Sequence, residues 1–514
     1  MSLDPVTLQV LIGALRSACE EMGAVLVRAA HSANIKERRD CSTALFDAAG
    51  ELVMQAEHIP VHLGSMPDAV AAVLDLQQEP GALWVLNDPY RGGTHLPDIT
   101  LISPIFSGQA LLGFAASRAH HADVGGPTPA GMPVGSTRLE EEGVVIPPTR
   151  VSDEDLARLA AEMRNPRQRL ADLRAQRAAN LTGERRLLGL AARDGADVLR
   201  AGMSEILDYA ERRTRVRLAE LPDGSHEAED VLEDDARKDS REVRLRVIAR
   251  IDGDRLILDF TGTDPQVEGN LNCPLPVTKS AAFFAVRVLT DPDAPPSAGA
   301  FRPIEVLAPE GCVLNARPPA AVAAGNVETS SRVADLVIEA LSKATAAPAQ
   351  GQGTMNNLTL ASVGGAPGDP PRTSGGWTYY ETLGGGQGAC PDAEGPSAVH
   401  VAMSNTLNTP VEALETEFPL RVRELSIRRG SGGAGLHRGG DGIVRELEAR
   451  APMDFTLITE RRRHSPRGRD GGADGEPGLN LLNGEPLPSK AAGELRPGDR
   501  LRIETPGGGG YGRP

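Results

Sequence analysis

Glycine and proline set the terms on which this chain can fold. With 57 glycines and 40 prolines among 514 residues, it must make many tight turns and carry a large irregular share. Only 3% of the residues are aromatic, so the core has to be built mostly from alanine, valine, leucine and isoleucine. The hydrophobic share of 40% is that of a globular protein and excludes wholesale disorder. A chain this long exceeds one ordinary core, and about two to four structural units are expected.

Charge and cysteine usage exclude further classes. A formal charge of -16 argues against nucleic acid, whose phosphates need a basic surface. The five cysteines (Cys19, Cys41, Cys273, Cys312, Cys390) are odd in number and scattered, with no CxxC pair. That pattern suits a reducing cytosol better than a disulfide scaffold or a zinc knuckle. No basic-then-apolar leader opens the chain. No stretch approaches the roughly 18 consecutive apolar residues of a membrane helix. A cytoplasmic protein that engages neither membrane nor nucleic acid is expected.

Asp4-Pro5 reads as a helix cap and first turn, followed by Leu8, Leu11, Leu15, Met22, Val25 and Leu26 at helical spacing to about Ala30. Ala44–Phe46 and Leu52–Met54 about the turn Ala49-Gly50 predict a hairpin. A short helix is predicted over 67–77 and strands over 82–86, 99–102 and 111–116. The segment 152–217 reads as helix-rich, its charge run a solvated face or a subunit interface. Alternation over 240–262 predicts two strands around Asp252-Gly253, and Val333–Leu341 a helix. The class is α+β, multi-domain. The units are a metal and active-site domain over 1–150, a helix-rich segment over 151–220, an α+β domain over 221–362, and a glycine-rich, mainly β domain over 363–514.

Six of the ten histidines (His31, His58, His62, His95, His120, His121) fall between positions 31 and 121. Two of them open histidine–acid motifs on glycine-rich turns, Gly92-Gly93-Thr94-His95-Leu96-Pro97-Asp98 and His120-His121-Ala122-Asp123-Val124-Gly125-Gly126, downstream of Arg38-Arg39-Asp40. Imidazole and carboxylate together are the donor set of a divalent zinc, manganese or iron. Asp40, His95, His120 and Asp123 are the preferred ligands and catalytic residues, with His121 and Asp98 in reserve. Asp98 serves equally as the residue that orients His95. The alternative is that these are capping or core polar residues. A bound ion would turn water into a nucleophile near neutral pH. His58 and His62 flank Pro60, which forbids a helical zinc pair; in an extended segment they share one face, as substrate-pocket or structural histidines. Cys41 reads as a buried thiol before a nucleophile. Gly507–Gly512 fits GxGxxG with no helix to follow, and Gly384–Ala389 lacks the Lys-Ser/Thr of a P-loop. No Walker A, HExxH or GxSxG occurs.

From residue 3 to its end the chain resembles the hydantoinase B/oxoprolinase family. The resemblance is carried by Asn34–Asp40, Ala56–Ser65, Asn87–Asp98, Ala119–Gly126, Gly325–Ser330, Ser404–Thr406, Ser431–Gly435 with Arg438–Gly440, and Pro506–Gly512. It implies the B-type component of a hetero-oligomeric, two-component hydrolase. In such enzymes an actin-like ATPase of the hydantoinase A type takes up ATP and phosphorylates the carbonyl oxygen of a small cyclic amide. Water then opens the ring C–N bond at a metal centre on the B-type component. Carried over by residue, that centre falls on Asp40, His95, His120 and Asp123. Glu57, Glu141 and Glu142 are proton-transfer candidates; Arg38 or Arg91 could hold a phosphate or serve as a structural ion-pair partner. Two alternatives stand beside this reading: a subunit of an ATP-dependent ketone carboxylase of the acetone or acetophenone type, and a non-catalytic scaffold for the ATPase. Carboxylase subunits are usually longer, which favours the hydrolase.

Overall fold

The computed structural model describes residues 3–57, 59–234, 241–363 and 376–514. Helix α1 (Pro5–Ala29) starts where Asp4 accepts the backbone N–H groups of Val6 and Thr7 at 3.0 and 3.1 Å, satisfying donors that a helix start leaves open. After α2 (Ala33–Lys36), strands β1 (Cys41–Asp47) and β2 (Leu52–Glu57) form the hairpin. Helix α3 (Met66–Leu74), β3 (Trp84–Leu86), β4 (Asp98–Ser107), β5 (Ala110–His120) and β6 (Thr149–Arg150) follow. The six strands make one antiparallel sheet in the order β2-β1-β5-β4-β3-β6. Strand β5 runs past Ala116 to His120. The first histidine of the pair therefore lies in the strand and not in the loop beyond it.

Both faces of this sheet are covered. Cys41, Leu45, Ala115 and Ala119 pack on α1 and α5 (Pro166–Asp194), while Ala44, Phe46, Phe114 and Ala116 pack on α3. Successive side chains alternate between the faces, as pleating requires. The charged helical segment comprises α4 (Asp153–Ala161), α5 and α6 (Ala196–Ala219). Helix α5 is not simply a solvated face. It buries Ala175, Ala179 and Leu187 against the sheet and α1, and buried Gln176 and Asn180 donate to the carbonyls of Ile99 and Leu101 at 2.9 and 3.0 Å.

A second sheet holds β7 (Gly224–Leu232), β8 (Val243–Asp252), β9 (Arg255–Asp259) and β10 (Ile304–Leu307), with β9 and β10 parallel. It packs against α7 (Leu275–Thr290) and α9 (Ser330–Leu341), with α8 (Ala298–Phe301) between them in the chain. A π-helical turn, Gly325–Thr329, leads into α9. After β11 (Asn357–Ser362), β12 (Thr378–Glu381) and α10 (Val411–Glu417) come β13 (Leu420–Arg428), β14 (Gly442–Ala449), β15 (Met453–Ile458), β16 (Leu479–Leu482), β17 (Glu485–Leu487), β18 (Lys490–Leu495) and β19 (Arg500–Glu504). They form two sheets, β12-β11-β15-β18 and β13-β14-β19-β16-β17, that share the core of Leu358, Leu360, Leu447, Phe455, Leu501 and Ile503.

The glycine-rich blocks serve packing. Gly508 donates to the Gly440 carbonyl at 2.9 Å, and a Cβ there would stand 1.9 Å from the Gln387 carbonyl oxygen. The terminal run and the segment near Gly388 thus interlock backbone to backbone, which only glycine permits. None of the five cysteines is joined in a disulfide. Among the described residues, no helix is long and apolar enough to cross a membrane.

Candidate metal centre

Strand register builds the centre. Asp98 opens β4 and pairs directly with His120 at the end of β5. His95 reaches the same point from the loop before β4. That loop needs its glycines: Gly92 has φ +96°, and a Cβ on Gly93 would lie 2.3 Å from the Asn87 carbonyl oxygen. Buried Arg118, two residues before His120 on the same face, donates to the Gly92 carbonyl at 3.1 Å and to Ser65 and Thr100, pinning the loop to the sheet.

Three donor atoms converge. His95 Nε2 is 3.0 Å and His120 Nδ1 3.1 Å from Asp98 Oδ1, and the two nitrogens are 3.2 Å apart. Atoms bound at about 2.1 Å to one divalent ion stand about 3.0–3.4 Å apart in octahedral or tetrahedral geometry, so the spacing fits a shared cation. The other carboxylate oxygen, Oδ2, is occupied by Thr94 Oγ1 at 2.8 Å, His62 Nε2 at 3.3 Å and Asn326 Nδ2 at 3.3 Å. Its Oδ1 is thereby aimed at the histidines. His95 Nδ1 faces the Ala323 carbonyl at 3.4 Å, an acceptor that leaves the Nε2 lone pair for a ligand role. His120 stacks on Tyr380, with ring centroids 4.7 Å apart.

The electrostatics follow from three imidazoles around one acid. Burial would raise the Asp98 carboxyl, but His95 and the hydrogen bonds from His120 and His62 hold it well below the usual carboxylate range. Burial lowers His62. It also pulls on His95, where the Asp98 charge and hydrogen bond outweigh it and raise the imidazole.

The predicted residues fall into three groups. His95 and His120 meet Asp98, the residue held in reserve. Asp40 and His62 line the same small cavity; Asp40 stands on its wall, outside the three converging atoms. His62 belongs to a 3-10 turn, Pro60–His62, and not to an extended segment; its Nδ1 lies 3.0 Å from Ser42 Oγ. Arg38 is buried behind the wall, donating to the Tyr380 carbonyl at 2.9 Å.

Others point elsewhere. Asp123 does not join the three converging atoms: its oxygens accept the N–H groups of Gly125 and Ala130 at 2.9 and 2.8 Å, and Arg164 and Thr378 bind it as well. It is fully engaged in holding its own loop. His121 faces α5, with Nε2 2.9 Å from Gln176 Oε1, because it has the opposite parity to His120. Cys41 likewise faces α1, and burial pushes its thiol up, out of nucleophilic range. Glu142 accepts the backbone N–H groups of Val322 and Ala323 at 3.1 and 3.0 Å, and Glu141 accepts that of Thr137 at 2.8 Å; neither lines the cavity. Arg91 is exposed and lies 3.8 Å from Asp88. His58 and the Glu57 side chain lie outside the described residues. Asn326, Tyr380, Thr382, Ser404 and Thr406, absent from the predicted site, line the cavity. Asn326, Ser404 and Thr406 stand in two of the blocks that carry the resemblance, Gly325–Ser330 and Ser404–Thr406, while Tyr380 and Thr382 stand in none.

The family profile described as "Hydantoinase B/oxoprolinase" matches residues 4–514. 5-Oxoprolinase 1 of Arabidopsis thaliana is 38% identical over 545 residues, covering 99% of this chain and 42% of that protein. A putative B-type subunit of a D-/L-hydantoinase from Pseudomonas sp. (strain NS671) is 31% identical over 546 residues, covering 100% of this chain and 90% of that one. The crystal structure of an ATP-dependent caprolactamase from Pseudomonas jessenii superposes with a TM-score of 0.91 at 29% identity, covering 100% of this chain and 93% of that chain. The chain spans less than half the length of several of the curated relatives it matches.

Proposed function

The chain belongs to the hydantoinase B/oxoprolinase family, and from that premise we propose that it is the metal-dependent B-type component of an ATP-dependent cyclic-amide hydrolase. The observation that carries the reading is the convergence of His95 Nε2, Asp98 Oδ1 and His120 Nδ1, within 3.2 Å of one another in a buried cavity. The substrate class is a small lactam or hydantoin. It is supported by the names of relatives that align along the whole chain: a 5-oxoprolinase, a hydantoinase component and a caprolactamase. The partner is an actin-like ATPase subunit that holds the ATP and activates the amide carbonyl. Two facts support such a partner: one relative is named as one subunit of a hydantoinase, and others are more than twice as long as the part of them that this chain covers. We place the hetero-oligomer in the cytoplasm, in keeping with five cysteines outside any disulfide.

An unactivated amide is a poor electrophile, so the chemistry divides in two. His95, Asp98 and His120 would hold a divalent zinc, manganese or iron, which would supply Lewis acidity and a nucleophilic water near pH 7. The chain's own residues do the rest. Thr94, His62 and Asn326 fix the Asp98 carboxylate, and the Ala323 carbonyl fixes the His95 tautomer. Asp40, on the cavity wall with a carboxylate free of ion pairs among the described residues, is positioned to take a proton from the attacking water.

The test is to co-express the chain with an actin-like ATPase encoded beside it, determine bound metal, and follow ATP-dependent opening of a panel of hydantoins and lactams. Ring opening that needs both chains and a bound metal is the expected result. Carboxylation that requires bicarbonate, without amide hydrolysis, would replace the hydrolase with a carboxylase. Turnover without metal in an Asp98→Ala, His120→Ala double variant would leave only a scaffold.

A further inference from the structure

Arg38 is fully buried, and no carboxylate among the described residues lies within ion-pair distance of it. Arg332, Arg445 and Arg461, also buried, each face an acid, whereas Arg118 shares the unpaired state and is spent on Thr100, Ser65 and the Gly92 carbonyl. A buried charge left unpaired is costly, so an arginine kept in that state needs a cause. Its guanidinium donates from Nη1 to the Tyr380 carbonyl at 2.9 Å, and from Nη2 to Thr382 Oγ1 at 2.6 Å and Thr406 Oγ1 at 3.2 Å. Its Nε has no partner among the described residues. Thr382, Ser404 and Thr406 line the cavity that holds His95, Asp98 and His120.

The hydroxyl protons can be traced. His400 Nε2 lies 2.9 Å from Asn408 Oδ1, an acceptor, so that nitrogen carries the hydrogen and Nδ1 accepts. Burial, with Arg38 nearby, lowers His400 to about 4, which keeps the ring neutral. Its Nδ1 takes a hydrogen from Thr406 Oγ1 at 3.1 Å. Thr382 Oγ1 donates to Thr406 Oγ1 at 2.8 Å. With Arg38 and Thr382 both donating to Thr406, the Ser404 hydroxyl, 3.1 Å from Thr406, is left to turn its hydrogen into the cavity. The wall therefore presents one free donor, the Ser404 hydroxyl, backed by a cation, which suits a negatively charged oxygen.

We propose that Ser404, held by Thr382 and Thr406 and polarised through them by Arg38, is the donor of an oxyanion subsite that takes a phosphoryl or carboxylate group of the substrate. Asp40 and Asp98 share the cavity, so an anion binds weakly unless a divalent ion offsets them; in this respect the strength of the subsite rests on the metal reading above.

The test titrates inorganic phosphate, and glutarate in a second arm, into the full chain by calorimetry, both zinc-loaded and metal-stripped. Binding to the loaded chain is expected, weakened about tenfold or more by Ser404→Ala, and by Thr406→Val in a chain that still folds, at unchanged zinc content, and restored in part by Ser404→Thr. Preference for phosphate or for glutarate names the source of the oxyanion. If neither anion binds the loaded chain, or binding is indifferent to folded Ser404→Ala and Thr406→Val, the subsite is overturned. A wild-type chain that takes up no zinc refutes the metal reading instead; the stripped-chain titration then decides the subsite, with Ser404-dependent binding supporting it and no binding rejecting it.

Discussion

Where β7, α9 and β18 meet the C-terminal sheets, Arg332, Glu460, Arg461 and Lys490 are buried as deeply as His95, Asp98 and His120. Each of these charges has its opposite in reach. Asp230 lies 3.3 Å from Arg332 and 3.1 Å from Arg461, and Glu460 lies 2.6 Å from Lys490 and 3.6 Å from Arg332. Against a burial that would raise it, Arg332, Arg461 and Arg467 hold the Asp230 carboxyl far below the usual range. In the first sheet, by contrast, three imidazoles crowd one carboxylate. A balanced buried network is an architectural joint between elements far apart in the chain. An unbalanced one, with donor atoms converging on a point, has the form of a binding site.

The comparison can be broken most forcefully at Asp98. Asp98→Asn or His120→Ala is expected to strip the metal and lower ring-opening turnover by about 10³-fold or more; normal metal content in either purified variant would remove the distinction. Next in size is Glu460→Ala, which leaves Lys490 and Arg332 uncompensated. It should cost about 3–5 kcal/mol in denaturant unfolding, with metal per chain unchanged.

His121 sharpens the contrast through pH. Burial, with Arg169 nearby, pushes its imidazole down to about 4 from 6.5. Between those values the unfolded chain binds a proton that the folded chain refuses, so stability falls as pH falls from 6.5 to 4, by up to about 3 kcal/mol. His121→Gln should flatten that part of the pH profile while retaining the metal that His120→Ala loses. Smallest is Asp123→Ala. It orphans the N–H groups of Gly125 and Ala130 and should cost about 2 kcal/mol; a loss of bound metal would restore Asp123 as a ligand.

Much of the local structure was legible. Asp4 and Pro5 announce α1, alternation announces β8 and β9, and the histidine crowding marks the stretch in which His95, Asp98 and His120 converge. The choice of acid was not. Asp98 and Asp123 follow their histidines at the same three-residue spacing, yet one enters a strand and points at the partner histidine while the other ends in a loop and binds backbone. The length of β5 decided a second case: with the strand ending at Ala116, nothing separates His120 from His121. Extended to His120, pleating alone sends one to the centre and its neighbour to α5. Nothing near Tyr380 or Asn326 in sequence ties either to this cavity, because they reach it from more than 200 residues away.

Composition and short-range spacing were enough to establish an α+β chain with a histidine- and acid-rich first quarter, since turns, caps and periodicity depend on residues a few positions apart. Which carboxylate the histidines share, and what surrounds the buried Arg38, came from strand register and from distant segments closing one cavity. Those are outcomes of packing along the whole chain, and no window of neighbouring residues contains them.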